Sequence, residues 1–179
     1  DFSHTSLINR INSDLANDLG NLLSRSTAML VKYFDGQLPA PAAEFSERDN
    51  NLKLKAVNMV TAVDNYMDEL AFNKALQAIW DVISAANKYI DETAPWALAK
   101  DPANHDQLAT VMYCLLETQR LTSSMIAPFM PETSQKALAC LGWPDPPGEA
   151  DLVWGKLAAG TKMEKGAALF PRIEVKEEA

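Results

Sequence analysis

Apolar residues recur at steps of three and four positions along most of the chain, which is the spacing of one face of a helix. The first such segment is expected to run from residue 6 to residue 34. Its apolar stripe contains Leu7, Ile8, Ile11, Leu15, Leu19, Leu22, Met29 and Tyr33. The alternating Val, Ile and Thr pattern of strands is scarce, so the pattern predicts an all-α protein.

Breaks between the apolar stripes predict four further helices. We expect a second helix over residues 49–70, a third over 73–94, a fourth over 103–126, and a short fifth helix that ends at Gly142, which favours a helix C-terminus. The short connections are typical of an antiparallel bundle of about five helices. Residues 1–142 would form this bundle. Residues 143–175 would form an irregular or β-ribbon appendage packed on it, and 176–179 the start of a linker or tail.

Several classes of function lack support in the sequence. The two histidines, His4 and His105, are far apart, and neither a Glu-x-x-His pair nor a phosphate-binding glycine loop is present. Cys114 and Cys140 lack the spacing of metal or redox sites, and Cys114 lies in an apolar run that predicts a buried, reduced thiol. We therefore predict no catalytic residue, metal site or cofactor in this chain.

The chain has neither a secretory signal nor an apolar run of about 20 residues, the length of a membrane span. We therefore expect an intracellular, cytoplasmic protein without a membrane partner. The chain begins with Asp1 rather than methionine, which suggests a piece of a longer protein. Residues 162–166 faintly resemble the lysine-rich loop of nucleotide-activating synthetases, but we interpret them as a solvated turn.

The net charge of -8 argues against a surface that holds nucleic acid by charge alone. Nucleic-acid-binding proteins usually carry basic patches, because neutralising phosphates supplies most of the non-specific affinity. If this chain binds RNA, it must read a few exposed bases while something else holds the backbone.

Asn17, Asn21 and Arg25 are spaced four residues apart in the first helix. Successive members rotate by only about 40° on a helix, so they form one polar strip beside the apolar face. Asparagine is a poor helix former, and a single one would be interpreted as a cap or a hydrogen bond to a loop. For three such groups in register, a second interpretation is about equally well supported. In this interpretation they form a strip that recognises the edge of an unstacked base.

The end of the third helix carries the second candidate feature. Asn87 and Asp91 are one turn apart, Pro95 then breaks the helix, and Trp96 stands at the resulting corner. Most tryptophans pack in the core, and the residues alone slightly favour that interpretation. A tryptophan on a rigid corner can instead be a platform on which a base stacks, worth about 1–3 kcal/mol.

Four motifs resemble bacterial methionyl-tRNA synthetases, which are class I aminoacyl-tRNA synthetases. The motifs occur in the family's order and span nearly the whole chain; they are NSDLANDLGNLLSR at 12–25, APWALAK at 94–100, APFMP at 127–131 and LFPRIE at 169–174. The resemblance implies a helical anticodon-binding domain. It also implies two partners: the anticodon loop of tRNA(Met), and a catalytic domain of the same enzyme that is absent from this chain. DNA is not an expected partner.

The resemblance also implies roles for individual residues. Trp96 would stack on the first base of the CAU anticodon, and Asn21 and Arg25 would contact that base or its neighbours, with Asn17 beside them. Asn87, Asp91 and Pro95 would shape the same site. The full-length enzyme would use ATP with Mg²⁺ to aminoacylate tRNA, and a structural zinc is left open. The alternative is a helical protein-interaction scaffold that does not bind RNA.

Overall fold

The computed structural model describes residues 17–143 and 146–165. In these ranges the chain forms five helices of ten or more residues: α1 (Asn21–Phe34), α2 (Glu47–Asp68), α3 (Phe72–Thr93), α4 (His105–Met125) and α5 (Pro131–Cys140). A four-residue helix, Pro95–Leu98, lies between α3 and α4. No strand is present in the described ranges, so the predicted all-α bundle is confirmed.

Local chemistry determines where these helices begin and end. At the start of α2, Asp49 N–H donates to Ser46 Oγ at 3.2 Å, and Ser46 N–H donates to Asp49 Oδ2 at 2.8 Å, which forms a capping box. Helix α1 ends at Asp35 and Gly36, both in the left-handed region. A π-helical turn over residues 17–20 precedes α1. The predicted beginning of that helix, residues 6–16, lies outside the described residues.

Helix α4 is the centre of the bundle. Every residue from 108 to 125 is buried, and α1, α2, α3 and α5 all pack against this helix. A large apolar side chain contributes about 1.5–3 kcal/mol when fully buried. Cys114 is one of the buried residues and carries a free thiol, as predicted. Burial raises the pKa of this thiol to about 12, so it is protonated near neutral pH.

Two polar residues of α4 are completely buried and bind each other. The Arg120 guanidinium donates to both carboxylate oxygens of Glu117, from Nε at 3.0 Å and from Nη2 at 2.7 Å. The carboxylate also accepts hydrogen bonds from three successive backbone N–H groups, those of residues 155, 156 and 157. Arg120 in turn donates to the carbonyl oxygens of Asp151 and Val153, at 2.7 and 2.8 Å. The pair therefore attaches residues 151–157 to the bundle.

The next stretch of the chain pairs with the connector between α1 and α2. Gln37 and Lys162 form an isolated antiparallel bridge, and Leu38 N–H donates to Thr161 O at 2.9 Å. The contact is a single bridge rather than a pair of strands, and it joins residues 160–163 to the connector after α1. The interpretation of residues 162–166 as a solvated turn was wrong at Met163, which is 4% exposed and packs in the core near Leu38. Gly166 lies outside the described residues.

Two features are absent from residues 17–143 and 146–165. No helix there is long and apolar enough to cross a membrane. No cluster of three or more His, Cys, Asp or Glu side chains in the same ranges could hold a metal ion.

Removing one member of the buried pair should be costly. We expect Arg120→Met to lower the free energy of unfolding by about 3–5 kcal/mol, because the Glu117 carboxylate would be left buried without its counter-charge. Urea denaturation measures this loss. The double variant Glu117→Gln/Arg120→Met should recover part of it, since the uncompensated charge is gone. A loss below about 1 kcal/mol for Arg120→Met would contradict the role assigned to the pair.

Two glycines separate the cost of a steric clash from the cost of backbone strain. Gly36 has φ +74°, and a Cβ there would lie 2.6 Å from the carbonyl oxygen of Met163. Gly160 has φ +87°, but a Cβ there would meet nothing within 4 Å. Both alanine variants should lose about 1–2 kcal/mol to left-handed strain. Gly36→Ala should lose about 1–3 kcal/mol more, because the paired segment must move. Equal urea midpoints for the two variants would contradict this packing.

Candidate nucleic-acid interface

The polar strip predicted on the first helix lies at the protein surface. The side chains of Asn17 and Asn21 are exposed, and the Arg25 side chain is 37% exposed. Asn17 belongs to the π-helical turn, and Asn21 is the first residue of α1. The strip is therefore accessible to a ligand along its whole length.

The C-terminal half of α3 meets this strip. Arg25 Nη2 lies 3.4 Å from Asp91 Oδ1, which joins α1 to α3 by an ion pair. Asn87 is half-buried, and its Nδ2 donates to the backbone oxygens of Asp18 at 3.3 Å and Ile83 at 3.2 Å. The structure thus brings Arg25 and Asp91 together at the surface and uses Asn87 to hold α3 beside the turn that carries Asn17.

A rigid corner presents Trp96 to solvent. Ala94 ends α3 in the left-handed region, with φ 44° and ψ 65°, a conformation that costs an L-residue about 1–2 kcal/mol. Pro95 then begins the four-residue helix and is buried, and Leu98 at its other end packs against the core. Trp96 lies between these two anchors and is 44% exposed. The structure therefore disagrees with the interpretation of Trp96 as a core residue.

A buried hydrogen bond holds the site-bearing half of α3 against α2. Tyr89 Oη donates to Asp49 Oδ1 at 2.6 Å, and the Asp49 carboxylate is the one that caps α2. Burial, together with the nearby Cys114 and Asp49, raises the pKa of Tyr89 far above its ordinary value. The hydroxyl therefore stays protonated near neutral pH and can donate to the Asp49 carboxylate.

The exposed groups offer the chemistry that recognition of a base requires. Guanidinium, carboxylate and amide groups donate and accept hydrogen bonds at a base edge, and an indole face supports stacking. The Arg25–Asp91 pair is solvent-exposed on both sides, at 37% and 69%. Exposed pairs contribute about 0–1 kcal/mol, so a base edge can replace one partner of this pair at little cost.

The chain matches a known protein family over most of its length. A family described as the anticodon-binding domain of methionyl-tRNA ligase matches residues 38–179. The chain belongs to this family. Within the match lie Asn87, Asp91, Pro95 and Trp96, whereas the strip on α1 precedes it.

Known relatives match nearly the whole chain, including the part that precedes residue 38. The methionine–tRNA ligase of Caldanaerobacter subterraneus subsp. tengcongensis is 51% identical over 99% of this chain, and that of Bacillus subtilis is 44% identical over 99%. The chain spans 28% and 27% of the lengths of these two relatives.

Solved structures agree with the sequence relatives. The apo form of Mycobacterium tuberculosis methionyl-tRNA synthetase matches with a TM-score of 0.91 at 36% identity, covering 98% of this chain and 36% of that chain. The same enzyme bound by methionyl-adenylate matches with a TM-score of 0.89, covering 95% of this chain and 34% of that one. The anticodon-binding domain therefore shares the fold of this part of a methionyl-tRNA synthetase.

The residues that support the site in this anticodon-binding domain were not predicted from the sequence. The Ser46-x-x-Asp49 spacing is a helix-start signal and could have been found. The bond from Tyr89 to Asp49 joins residues 40 positions apart, and no local pattern indicates it. The left-handed conformation of Ala94 was equally hidden, because alanine rarely adopts it.

Removal of the Tyr89 hydroxyl should destabilise the domain. We expect Tyr89→Phe to cost about 1–3 kcal/mol in urea denaturation, because Asp49 Oδ1 would lose its donor in a buried position. Tyr33→Phe is the matched control, since Tyr33 lies on α1 and is only half-buried. A loss for Tyr89→Phe no larger than that for Tyr33→Phe would show that the buried bond contributes nothing.

Proposed function

We propose that this domain reads the CAU anticodon of tRNA(Met) as part of a methionine–tRNA ligase. The observation that carries the proposal is the exposed Trp96, held on a strained corner at the end of the helix that pairs with Arg25. Holding an indole in solvent beside a residue in a strained backbone conformation is costly unless the ring meets a ligand. The family relationship indicates that the ligand is an anticodon.

In this proposal each site residue has a definite task. Trp96 stacks on the cytosine at the first anticodon position, because every base offers a face for stacking. Asn21 and Arg25 contact the hydrogen-bonding edge of that base or its neighbours, and Asn17 lies beside them. Asp91 orients the Arg25 guanidinium through the bond at 3.4 Å.

Two further residues shape the site rather than read the base. Asn87 holds α3 at the turn before α1 through its bond to the Asp18 carbonyl. Pro95 is buried and defines the direction of the corner that carries Trp96.

The whole enzyme would carry out the chemistry elsewhere. A catalytic domain outside this chain would activate methionine with ATP and Mg²⁺ in the cytoplasm and transfer it to the 3′ end of the tRNA. A structural zinc, if the enzyme has one, would also lie outside the residues described above. This domain would supply selectivity, since a wrong base leaves polar groups of the site without partners.

The test is a titration of the chain with two RNA stem-loops, one carrying CAU and one a scrambled loop. We expect the CAU loop to bind more tightly, and Trp96→Ala to weaken that binding roughly 5- to 150-fold, the equivalent of about 1–3 kcal/mol. The thermal midpoint should change little, because the indole is 44% exposed.

Phe72→Ala provides the matched control, since Phe72 is a similarly exposed aromatic residue, at 48%, at the opposite end of α3. It should leave RNA affinity unchanged. Equal affinity of the unmodified chain for both loops would overturn the proposal. If Trp96→Ala lowers the thermal midpoint and leaves RNA affinity unchanged, the helical scaffold without RNA binding is the better account.

A further inference from the structure

A groove of about 450 Å³ runs between the N-terminal part of α2 and the C-terminal part of α3. Its lining contains three basic side chains, Arg48, Lys55 and Lys88, and one carboxylate, Glu92. The chain as a whole has 24 acidic and 16 basic residues, so the balance of charge in this groove is opposite to that of the protein. A cationic groove on an acidic protein favours an anionic occupant.

The basic residues on α2 are arranged as a row. Arg48, Asn51 and Lys55 follow the spacing i, i+3, i+7, which places them along one face of the helix. All three are exposed. Two charged groups with an amide between them can contact successive anionic groups on an extended polymer.

Lys88, on the opposite wall of the groove, can also bind a phosphate. Its Nζ lies 3.4 Å from Glu92 Oε1, and the two side chains are 76% and 40% exposed. Such a pair contributes about 0–1 kcal/mol, so an incoming phosphate can take Lys88 from Glu92 at little cost.

The groove adjoins the proposed base-reading site. Lys88 directly follows Asn87, and Glu92 directly follows Asp91, so the two sites lie on neighbouring faces of α3, about 100° apart. Proteins that bind single-stranded RNA commonly combine an aromatic stacking platform with a positive groove along the backbone. Trp96 and the groove supply these two parts at the same end of α3.

We infer that the groove between α2 and α3 binds the sugar–phosphate backbone of the RNA whose bases the strip and Trp96 read. This inference rests on the proposed function and adds to it, because the acidic domain then has its own grip on the RNA. Arg48 and Lys55 bind phosphates, Lys88 adds a third contact, and the exposed Leu54 side chain in the lining faces a ribose. These contacts are independent of base sequence.

The experiment uses the double variant Arg48→Gln/Lys55→Gln in the 179-residue chain. We expect its affinity to fall about tenfold at low salt, by the same factor for the CAU and scrambled stem-loops. The slope of log Kd against log salt concentration should fall by about 1.5, since each phosphate contact contributes about 0.7–0.9. Urea denaturation should show an unchanged midpoint, because both side chains are exposed.

The matched control is Lys74→Gln/Lys136→Gln, which removes the same charge from exposed positions on α3 and α5, outside the groove. It should leave both the affinity and the salt slope nearly unchanged. An equal loss of affinity in the control would show a general effect of charge and would contradict RNA binding in the groove. Unchanged affinity and slope in Arg48→Gln/Lys55→Gln, or a loss confined to the CAU loop, would also overturn it.

Phosphate ethylation of the stem-loop provides an independent readout. Ethylation of the RNA phosphates that lie in the groove should weaken binding to the unmodified chain. The same ethylation should have no effect on binding to Arg48→Gln/Lys55→Gln. An identical interference pattern for both proteins would contradict RNA binding in the groove. Failure of the proposed function has a different signature: the unmodified chain would show no preference for CAU. If the unmodified chain bound neither loop, both proposals would be overturned.

Discussion

The ion pair between Glu117 and Arg120 lies where the C-terminal segment meets the bundle, and neither side chain is exposed at all. Burying two charges is expensive, and their attraction compensates only when every remaining hydrogen-bonding position is used. Here the carboxylate accepts three backbone N–H groups and the guanidinium donates to two carbonyl oxygens. The Arg120 guanidinium also lies 5.0 Å from the centre of the Trp143 ring. The segment is therefore part of the fold, because without it the central helix would hold a buried ion pair whose remaining hydrogen-bonding groups have no partners.

The same segment stabilises the part of the bundle that holds the candidate interface. After leaving Glu117, it passes the C-terminal end of α5 at Gly142 and pairs with the connector that follows α1. The position of α1 is thus fixed at its C-terminal end by this pairing. Near its N-terminal end it is held by the bonds to Asn87 and Asp91. A strip that must keep three side chains in register benefits from support at both ends, since recognition tolerates displacements of only about 0.5 Å.

Features that depend on local spacing could be predicted from the sequence, and features that depend on distant partners could not. The helices followed from apolar periodicity, and the strip of Asn17, Asn21 and Arg25 followed from helical spacing. The Glu117–Arg120 pair has the i, i+3 spacing of an ordinary solvated pair, and only backbone groups more than 30 residues away show that it is buried. Trp96 was ambiguous for a related reason: its exposure depends on Pro95 and Leu98 being anchored in the core.

The way in which Glu117 holds the C-terminal segment has a consequence for how this region tolerates sequence change. The carboxylate binds main-chain N–H groups, which every residue except proline supplies. Side chains at the exposed position 156 can therefore vary freely, while proline is excluded there. Divergence in this segment would leave the attachment intact, so a weakly similar sequence can dock in the same manner. Identity at Glu117 and Arg120 is a better guide to a shared architecture than identity in the segment they hold.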